Sequence, residues 1–166
     1  MAYDVGALRR EEFPWADRTI YMEHASIGPL PERTRRVLDG MNQRRAMPFE
    51  LRHEDLFGAL TEGRAEAAAL INADPAEIAL ATNTSFGLGV AARALPFQHG
   101  DVVLVSHREF PANVYPWMRL GDRRVTLELI PVNSEGWPDE ARILKRLDDP
   151  RVRCVAVSLT QFASGY

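Results

Sequence analysis

Three small polar residues, Asn83, Thr84 and Ser85, stand between a short apolar run and a segment that favours a helix. The free N–H groups in the first turn of a helix, together with the helix dipole, attract a negative charge. The hydroxyls of Thr84 and Ser85 can donate further hydrogen bonds to phosphate oxygens. The pattern therefore predicts an anion site. Simple helix capping is the alternative, because these residue types cap many helices.

A second candidate segment, residues 106–117, is rich in aromatic side chains. His107 or Phe110 could present a flat ring to a planar cofactor. The alternative is that Phe110, Tyr115 and Trp117 are packing residues, as most aromatic side chains are. His107 alone is more typical of a surface histidine than of a catalyst.

The elements that must position these residues alternate between apolar runs and helical patterns. Strands are predicted at 20–22, 78–81, 101–106, 125–130 and 152–159, and helices after Pro31 and at 50–71, 84–95, 111–120 and 139–147. Such alternation predicts an α/β fold with a mainly parallel sheet and helices on both faces. Ligands of open α/β sheets bind at the carboxyl ends of the strands. The loops at 82–86, 106–113 and 159–166 follow such ends and hold the polar and aromatic candidates.

Composition narrows the class of protein further. The chain has 166 residues and a net charge of −3. This charge gives no support for a basic surface that would bind nucleic acid or a membrane. Cys154 is the one cysteine, which excludes an internal disulfide and a cysteine-rich zinc site. His53 and His99 have no acidic or cysteine partners at metal-ligand spacing, so no metal is expected. The polar N-terminus and the lack of a long apolar run predict a cytoplasmic protein.

Four segments, in order, resemble the class V aminotransferase family of pyridoxal-phosphate (PLP) enzymes. This family includes cysteine desulfurases, selenocysteine lyases, kynureninase and isopenicillin N epimerase-like proteins. Residues 21–31 (YMEHASIGPLP) are similar to its N-terminal substrate-side loop, and residues 82–88 (TNTSFGL) to its phosphate-binding turn. Residues 109–117 (EFPANVYPW) are similar to its ring-stacking segment, and residues 157–165 (VSLTQFASG) to the strand and loop beside the cofactor.

The resemblance implies a part of the fold-type I PLP-transferase large domain and a set of site residues. Thr84 and Ser85, in the turn that includes Asn83, would bind the phosphate, and Phe110 would stack on the pyridine ring. Gln161 or Phe162 would lie near the ring hydroxyl. Two further residues, His24 and Ser26, would line the substrate entrance. Desulfurases carry histidine where Phe110 stands and kynureninases carry phenylalanine, which favours the epimerase, transaminase or lyase branches.

PLP chemistry needs an amine on the protein and an acid beside the pyridine nitrogen. The family places both after the loop of Gln161. The single lysine, Lys145, lies in the predicted helix 139–147, where a solvated position is expected. No residue of this chain is therefore assigned as catalytic, and the Schiff-base lysine is expected elsewhere.

The expected organisation is an N-terminal arm with the substrate-side loop at residues 1–30, followed at 31–166 by the N-terminal part of the PLP-binding large domain. The expected substrate is an amino acid, which would undergo transamination, epimerisation or C–S cleavage. A homodimer, or a second polypeptide that completes the fold, is the expected assembly. The alternative is a non-catalytic α/β binding or assembly subunit derived from the same fold.

Overall fold

The structure, a computed structural model, describes residues 4–166. The chain forms two compact units, the first ending at Ala79 and the second spanning Leu80–Tyr166. Each unit has its own helices, and the described strands all lie in the second unit.

The first unit is helical. Its helices are α1 (Val5–Glu12), α2 (Glu32–Arg45) and α3 (His53–Ile71), separated by short 3-10 turns that each begin at a proline. Asp4 caps α1 by accepting a hydrogen bond from the amide of Ala7. The Arg33 side chain of α2 donates to Glu12 of α1 at 2.8 Å, which joins the first two helices.

The second unit is a three-stranded parallel sheet with helices. In chain order it contains α4 (Thr84–Ala94), β1 (Val102–Ser106), α5 (Tyr115–Met118), β2 (Thr126–Ile130), α6 (Glu140–Arg146) and β3 (Val152–Ala156). The strand order is β2-β1-β3, so β1 is central and pairs with both neighbours. All five residues of β1 are buried, as expected for a strand with neighbours at both edges and packing on both faces.

Side chains alternate between the two faces of β1, and each face has its own core. Val103 and Val105 pack with residues of α4 and α5, including Ala92 and Trp117. The opposite face carries Val102 and Leu104, against which Ile143 of α6 packs. The α/β prediction with a parallel sheet and helices on both faces is therefore confirmed in this unit.

Two predicted strands were wrong. Residues 20–22 and 78–81 have no regular secondary structure, although their side chains are β-branched or apolar. A strand needs a partner whose backbone completes its hydrogen bonds, and no described segment pairs with either run. Ile20 and Met22 are accordingly 87% and 86% exposed.

Other predicted elements were longer than the corresponding elements in the structure. The helix expected at 50–71 begins at His53, after a 3-10 turn at Pro48–Glu50. The helix expected at 111–120 is replaced by three short elements: the 3-10 turn Pro111–Asn113, α5, and a second 3-10 turn at Arg119–Arg123. One continuous helix is disfavoured because Pro116 has no backbone N–H and cannot donate an interior helical hydrogen bond. The last strand ends at Ala156 instead of residue 159.

Within the described residues, every helix is too short or too polar to cross a lipid bilayer.

Candidate functional site

The turn before α4 leaves hydrogen-bond donors open. Asn83 is the N-cap, and its Oδ1 accepts a hydrogen bond from the amide of Phe86 at 2.9 Å. The amides and hydroxyls of Thr84 and Ser85 have no acceptor among residues 4–166, and both residues are exposed. Capping by Asn83 and anion binding by its neighbours are therefore compatible. Free hydroxyl and amide donors at the positive end of a helix suit a phosphate group.

The loop after β1 turns sharply and separates two neighbouring side chains. Arg108 has a left-handed backbone with φ of 68°, which is uncommon for a residue with a side chain. After this turn, Glu109 is buried at 7% exposure and Phe110 is 47% exposed. Phe110 is the N-cap of the 3-10 turn Pro111–Asn113. The loop thus buries a carboxylate and presents an aromatic ring at adjacent positions.

Phe110 also contacts a residue from the loop after β3. Its ring centroid lies 5.1 Å from that of Phe162, with the ring planes at 71°. This edge-to-face geometry is a favourable aromatic arrangement. Phe162 supports the Phe110 ring from one side, and Phe110 remains half exposed.

The start of α4 and the Phe110 loop lie at the same edge of the sheet. α4 connects to β1 through the short segment 95–101, so α4 ends near the amino end of β1. α4 also contacts the turn Pro111–Asn113, which follows the carboxyl end of β1. The first turn of α4 is thereby brought toward the carboxyl edge, where ligands of this fold class bind.

A buried hydrogen-bond network joins the loops after β1 and β3. Glu109 Oε1 accepts from the Ser158 amide at 2.7 Å and from Gln161 Nε2 at 2.9 Å. Glu109 Oε2 accepts from the Ser158 hydroxyl at 2.7 Å. Sequence reasoning assigned no role to Glu109 or Ser158. The available signal was an acidic residue in the loop after a buried strand, three residues past its end, because a carboxylate buried there must find donors.

Gln161 belongs to this network. Its side chain is 4% exposed, and its amide nitrogen donates to Glu109. Its backbone closes a turn with the residues that follow, donating to Tyr166 O and accepting from Gly165 N, both at 2.8 Å. The role of Gln161 beside a cofactor ring stays a prediction.

The two residues predicted at the substrate side lie in a loop of the first unit. The Tyr21 hydroxyl donates to the carbonyl of Ile27 at 2.7 Å and closes this loop. The His24 ring packs edge-to-face on Tyr21 at 5.1 Å, and both His24 and Ser26 are exposed. His24 lines a cavity of about 420 Å³ together with Phe13 and Trp15. The substrate-side role of His24 and Ser26 stays a prediction.

Lys145 is exposed on α6, as the helical pattern predicts. Cys154 is half-buried in β3, and burial raises the pKa of its thiol, which disfavours the reactive thiolate. Residues 4–166 contain no cluster of three or more His, Cys, Asp or Glu side chains that could hold a metal ion.

Comparison with known families identifies the chain. The family model described as aminotransferase class-V matches residues 42–166. The chain belongs to the class V aminotransferase family. The match includes the Thr84–Ser85 turn, the Phe110 loop and the loop of Gln161, three of the four segments on which the resemblance rested.

Curated relatives of this family member are described as cysteine desulfurases. A probable cysteine desulfurase of Methanothermobacter thermautotrophicus is 30% identical over 163 residues, which is 94% of this chain and 40% of that protein. A cysteine desulfurase of Dickeya dadantii is 35% identical over 105 residues, or 60% of this chain and 25% of that protein. The chain thus spans at most about two fifths of these relatives.

Solved structures share the fold. The Escherichia coli cysteine desulfurase CsdA matches all of this chain and 44% of its own, with a TM-score of 0.78 and 24% identity. A complex of the cystine C-S lyase C-DES with cysteine persulfide matches 93% of this chain and 42% of its own, with a TM-score of 0.80 and 21% identity. A C-DES mutant with glycine covalently linked to its PLP cofactor has a TM-score of 0.79. The fold is that of the fold-type I PLP enzymes.

Proposed function

We propose that the native protein containing this chain is a PLP-dependent enzyme that acts on an amino acid, and that the second unit contributes to the cofactor site. The observation that carries this proposal is the set of donors at Thr84 and Ser85 that are unpaired among the described residues, at the start of a helix that contacts the turn directly after the half-exposed Phe110. A phosphate group and an attached aromatic ring need such a pair of surfaces. Family membership and the PLP-bound structural neighbour support the same proposal.

Each residue of the site has a distinct physical task in this proposal. The hydroxyls and amides of Thr84 and Ser85 donate hydrogen bonds to the phosphate, and the dipole of α4 favours its negative charge. Asn83 holds the first turn of α4 in shape through its bond to the amide of Phe86. Phe110 packs against the pyridine ring and excludes water from that face.

The cofactor supplies the electron sink that stabilises negative charge at the substrate carbon when PLP is bound. The protein residues described in this chain bind and orient; none of them is proposed to transfer the proton. His24 and Ser26 are proposed to line the path by which the amino acid enters.

The proposed reaction class is C–S cleavage of the cysteine desulfurase type, because the matched curated relatives carry that description. One observation favours a second candidate. Phenylalanine at Phe110, where desulfurases carry histidine, favours the epimerase, transaminase or lyase branches. A non-catalytic subunit derived from the PLP fold is the remaining alternative.

One assay distinguishes these functions. The native protein is incubated with PLP, a thiol reductant and single L-amino acids, with and without a 2-oxo acid as amino acceptor, and the products are separated by chiral chromatography. Sulfide together with alanine from L-cysteine supports the desulfurase type. A D-amino acid supports epimerisation, and amination of the added 2-oxo acid supports transamination. PLP binding without turnover of any amino acid supports the non-catalytic subunit.

The second unit also exposes large apolar side chains around β3 and α6. Leu144 is 64% exposed, Val157 is 52% exposed and Leu159 is fully exposed. Apolar patches of this kind are normally covered by other polypeptide. We therefore propose that a second copy of the chain or further polypeptide covers them in the native protein. The expected compartment stays the cytoplasm.

A further inference from the structure

We propose that Glu109 is a positioning residue: its buried carboxylate ties the loop after β1 to the loop after β3 and so fixes the Phe110 ring against the cofactor. This inference rests on the proposed function of Phe110. It adds a residue that touches neither phosphate nor ring and acts only through its neighbours.

The first support is the geometry of the carboxylate. Three donors reach Glu109 at 2.7, 2.7 and 2.9 Å, all from Ser158 and Gln161. These partners stand 49 and 52 residues away in the sequence. The network therefore joins two loops that only the fold brings together.

The second support is burial. Glu109 is 7% exposed and Gln161 is 4% exposed, so water competes little for the three hydrogen bonds. No basic side chain forms an ion pair with Glu109 among residues 4–166. Neutral donors thus satisfy the carboxylate, and removing the carboxylate leaves one buried donor and two partly buried donors without an acceptor.

The third support is the adjacency of Glu109 to Phe110. The left-handed turn at Arg108 places the two side chains in different surroundings, with Glu109 buried and Phe110 half exposed. A fixed Glu109 therefore fixes the start of the Phe110 side chain. On the opposing loop, Gln161 precedes Phe162, whose ring packs on Phe110. The loop after β1 contributes one polar and one aromatic residue to this junction, and the loop after β3 contributes two polar residues and one aromatic residue.

The atomic pattern predicts which substitutions the junction tolerates. Glu109→Gln keeps an oxygen that can accept from the Ser158 amide and from Gln161. The new amide group would face the Ser158 hydroxyl, which can rotate to accept instead of donate. Glu109→Ala removes all acceptors at once. Ser158→Ala removes only the hydroxyl bond and keeps the backbone donor, so it tests the network if Glu109→Ala does not fold.

The first test is amide hydrogen exchange on the native protein without added PLP, read at Ser158 and across residues 107–114. We expect exchange at Ser158 to rise about tenfold in Glu109→Ala, because a bond to a buried carboxylate protects that amide. Glu109→Gln should retain most of the protection, and Ser158→Ala should raise exchange across 107–114 by a smaller factor.

The matched control is Glu62→Ala, which should leave the exchange unchanged. Glu62 is an exposed glutamate without a hydrogen-bond partner among the described residues. Unchanged exchange across 107–114 in Glu109→Ala and Ser158→Ala would overturn the inference.

The second test is a double-mutant cycle on the PLP dissociation constant. Glu109→Ala should weaken PLP binding about fivefold when Phe110 is present and hardly at all in the Phe110→Ala background, because a residue acting through Phe110 loses its effect with that ring. Glu109→Gln should restore affinity close to wild type. An equal loss of PLP affinity in both backgrounds indicates that Glu109 has a merely structural role, and it overturns this inference but not the proposed function. A wild-type protein that does not bind PLP overturns this inference and the proposed function together.

Discussion

Phe110 is the residue whose removal should weaken cofactor binding most selectively. Its ring is 47% exposed and has Phe162 at one side, so it can lose its side chain without opening a buried core. The hydrophobic cores of the second unit do not include Phe110. A change at this position should therefore affect binding more than folding.

We predict that Phe110→Ala lowers the affinity for PLP about tenfold, a loss typical of a single aromatic contact. The midpoint of thermal unfolding without cofactor should change little. Equilibrium titration of PLP, followed by absorbance or fluorescence, measures the affinity. Phe49→Ala is the control, because Phe49 is 83% exposed and belongs to the first unit. Equal PLP affinity in wild type and Phe110→Ala would contradict the assignment.

At the scale of elements, the N-cap of α4 satisfies one amide of the first turn and leaves the donors of the next two residues unpaired within the described part of the chain. Asn83 Oδ1 satisfies the amide of Phe86, so the donors of Thr84 and Ser85 stay open. We therefore expect that substitutions can change the capping of α4 and the binding of an anion independently of each other.

We predict that Asn83→Ala destabilises the second unit by about 1 kcal/mol, the usual cost of losing an N-cap. Asn83→Asp should keep the stability, because aspartate caps equally well. Chemical denaturation of the native protein measures both variants. Asn83→Asp should nevertheless weaken PLP binding, since its negative charge would lie next to the phosphate. Full stability in Asn83→Ala would show that the cap does not hold α4.

A second element-scale feature is the ion network that ties α6 to β2. Arg146 of α6 donates to both oxygens of Glu128 in β2, at 2.8 and 2.7 Å, and contacts Asp149 at 3.2 Å. The hydrogen bonds from Arg146 hold the pKa of Glu128 below its usual 4.5. The pKa of Asp149 also lies well below its usual range, mainly through hydrogen bonds from Arg151 and with a smaller contribution from Arg146.

These lowered pKa values set the sign of a pH dependence. A carboxyl group with a lower pKa in the folded state contributes stability above its unfolded pKa and loses it as the pH falls through the folded value. The stability of the second unit should therefore fall below about pH 4.5. Arg146→Gln should lower the stability at pH 7, and the stability of this variant should fall less steeply with pH below pH 4.5. Denaturation curves from pH 7 to pH 3 test this, and an equally steep decline in Arg146→Gln would contradict the role of Arg146.

The sequence predicted the elements that depend on local pattern and missed those that depend on distant contacts. The apolar run at Val102–Ser106 and the helix after Asn83 were recognised because burial on both faces and capping leave local signals. The runs at 20–22 and 78–81 have the composition of strands without a partner to pair with. Glu109 received no role because its partners lie some fifty residues away, and only the folded sheet brings them together.

At the scale of the whole molecule, the exposed apolar side chains around β3 and α6 predict association with further polypeptide. We expect the native protein to have a mass well above the 18.7 kDa of this chain. Size-exclusion chromatography with light scattering, together with mass spectrometry of the denatured protein, separates a longer chain from a dimer of this one. A monodisperse 18.7 kDa monomer would contradict the proposed covering of this surface.

The measurement that tests the proposed cofactor site most directly compares the binding of PLP with that of pyridoxal, which lacks the phosphate, in wild type and in a Thr84→Val, Ser85→Ala variant. If α4 binds the phosphate, wild type should prefer PLP by at least about thirtyfold, since charge-assisted hydrogen bonds are among the strongest in proteins. The double variant, which keeps the backbone amides and the helix dipole, should lose part of that preference while its affinity for pyridoxal stays the same. Equal binding of the two ligands by wild type would show that the Thr84–Ser85 turn does not hold the cofactor, and an unchanged preference in the double variant would show that the two hydroxyls do not bind its phosphate.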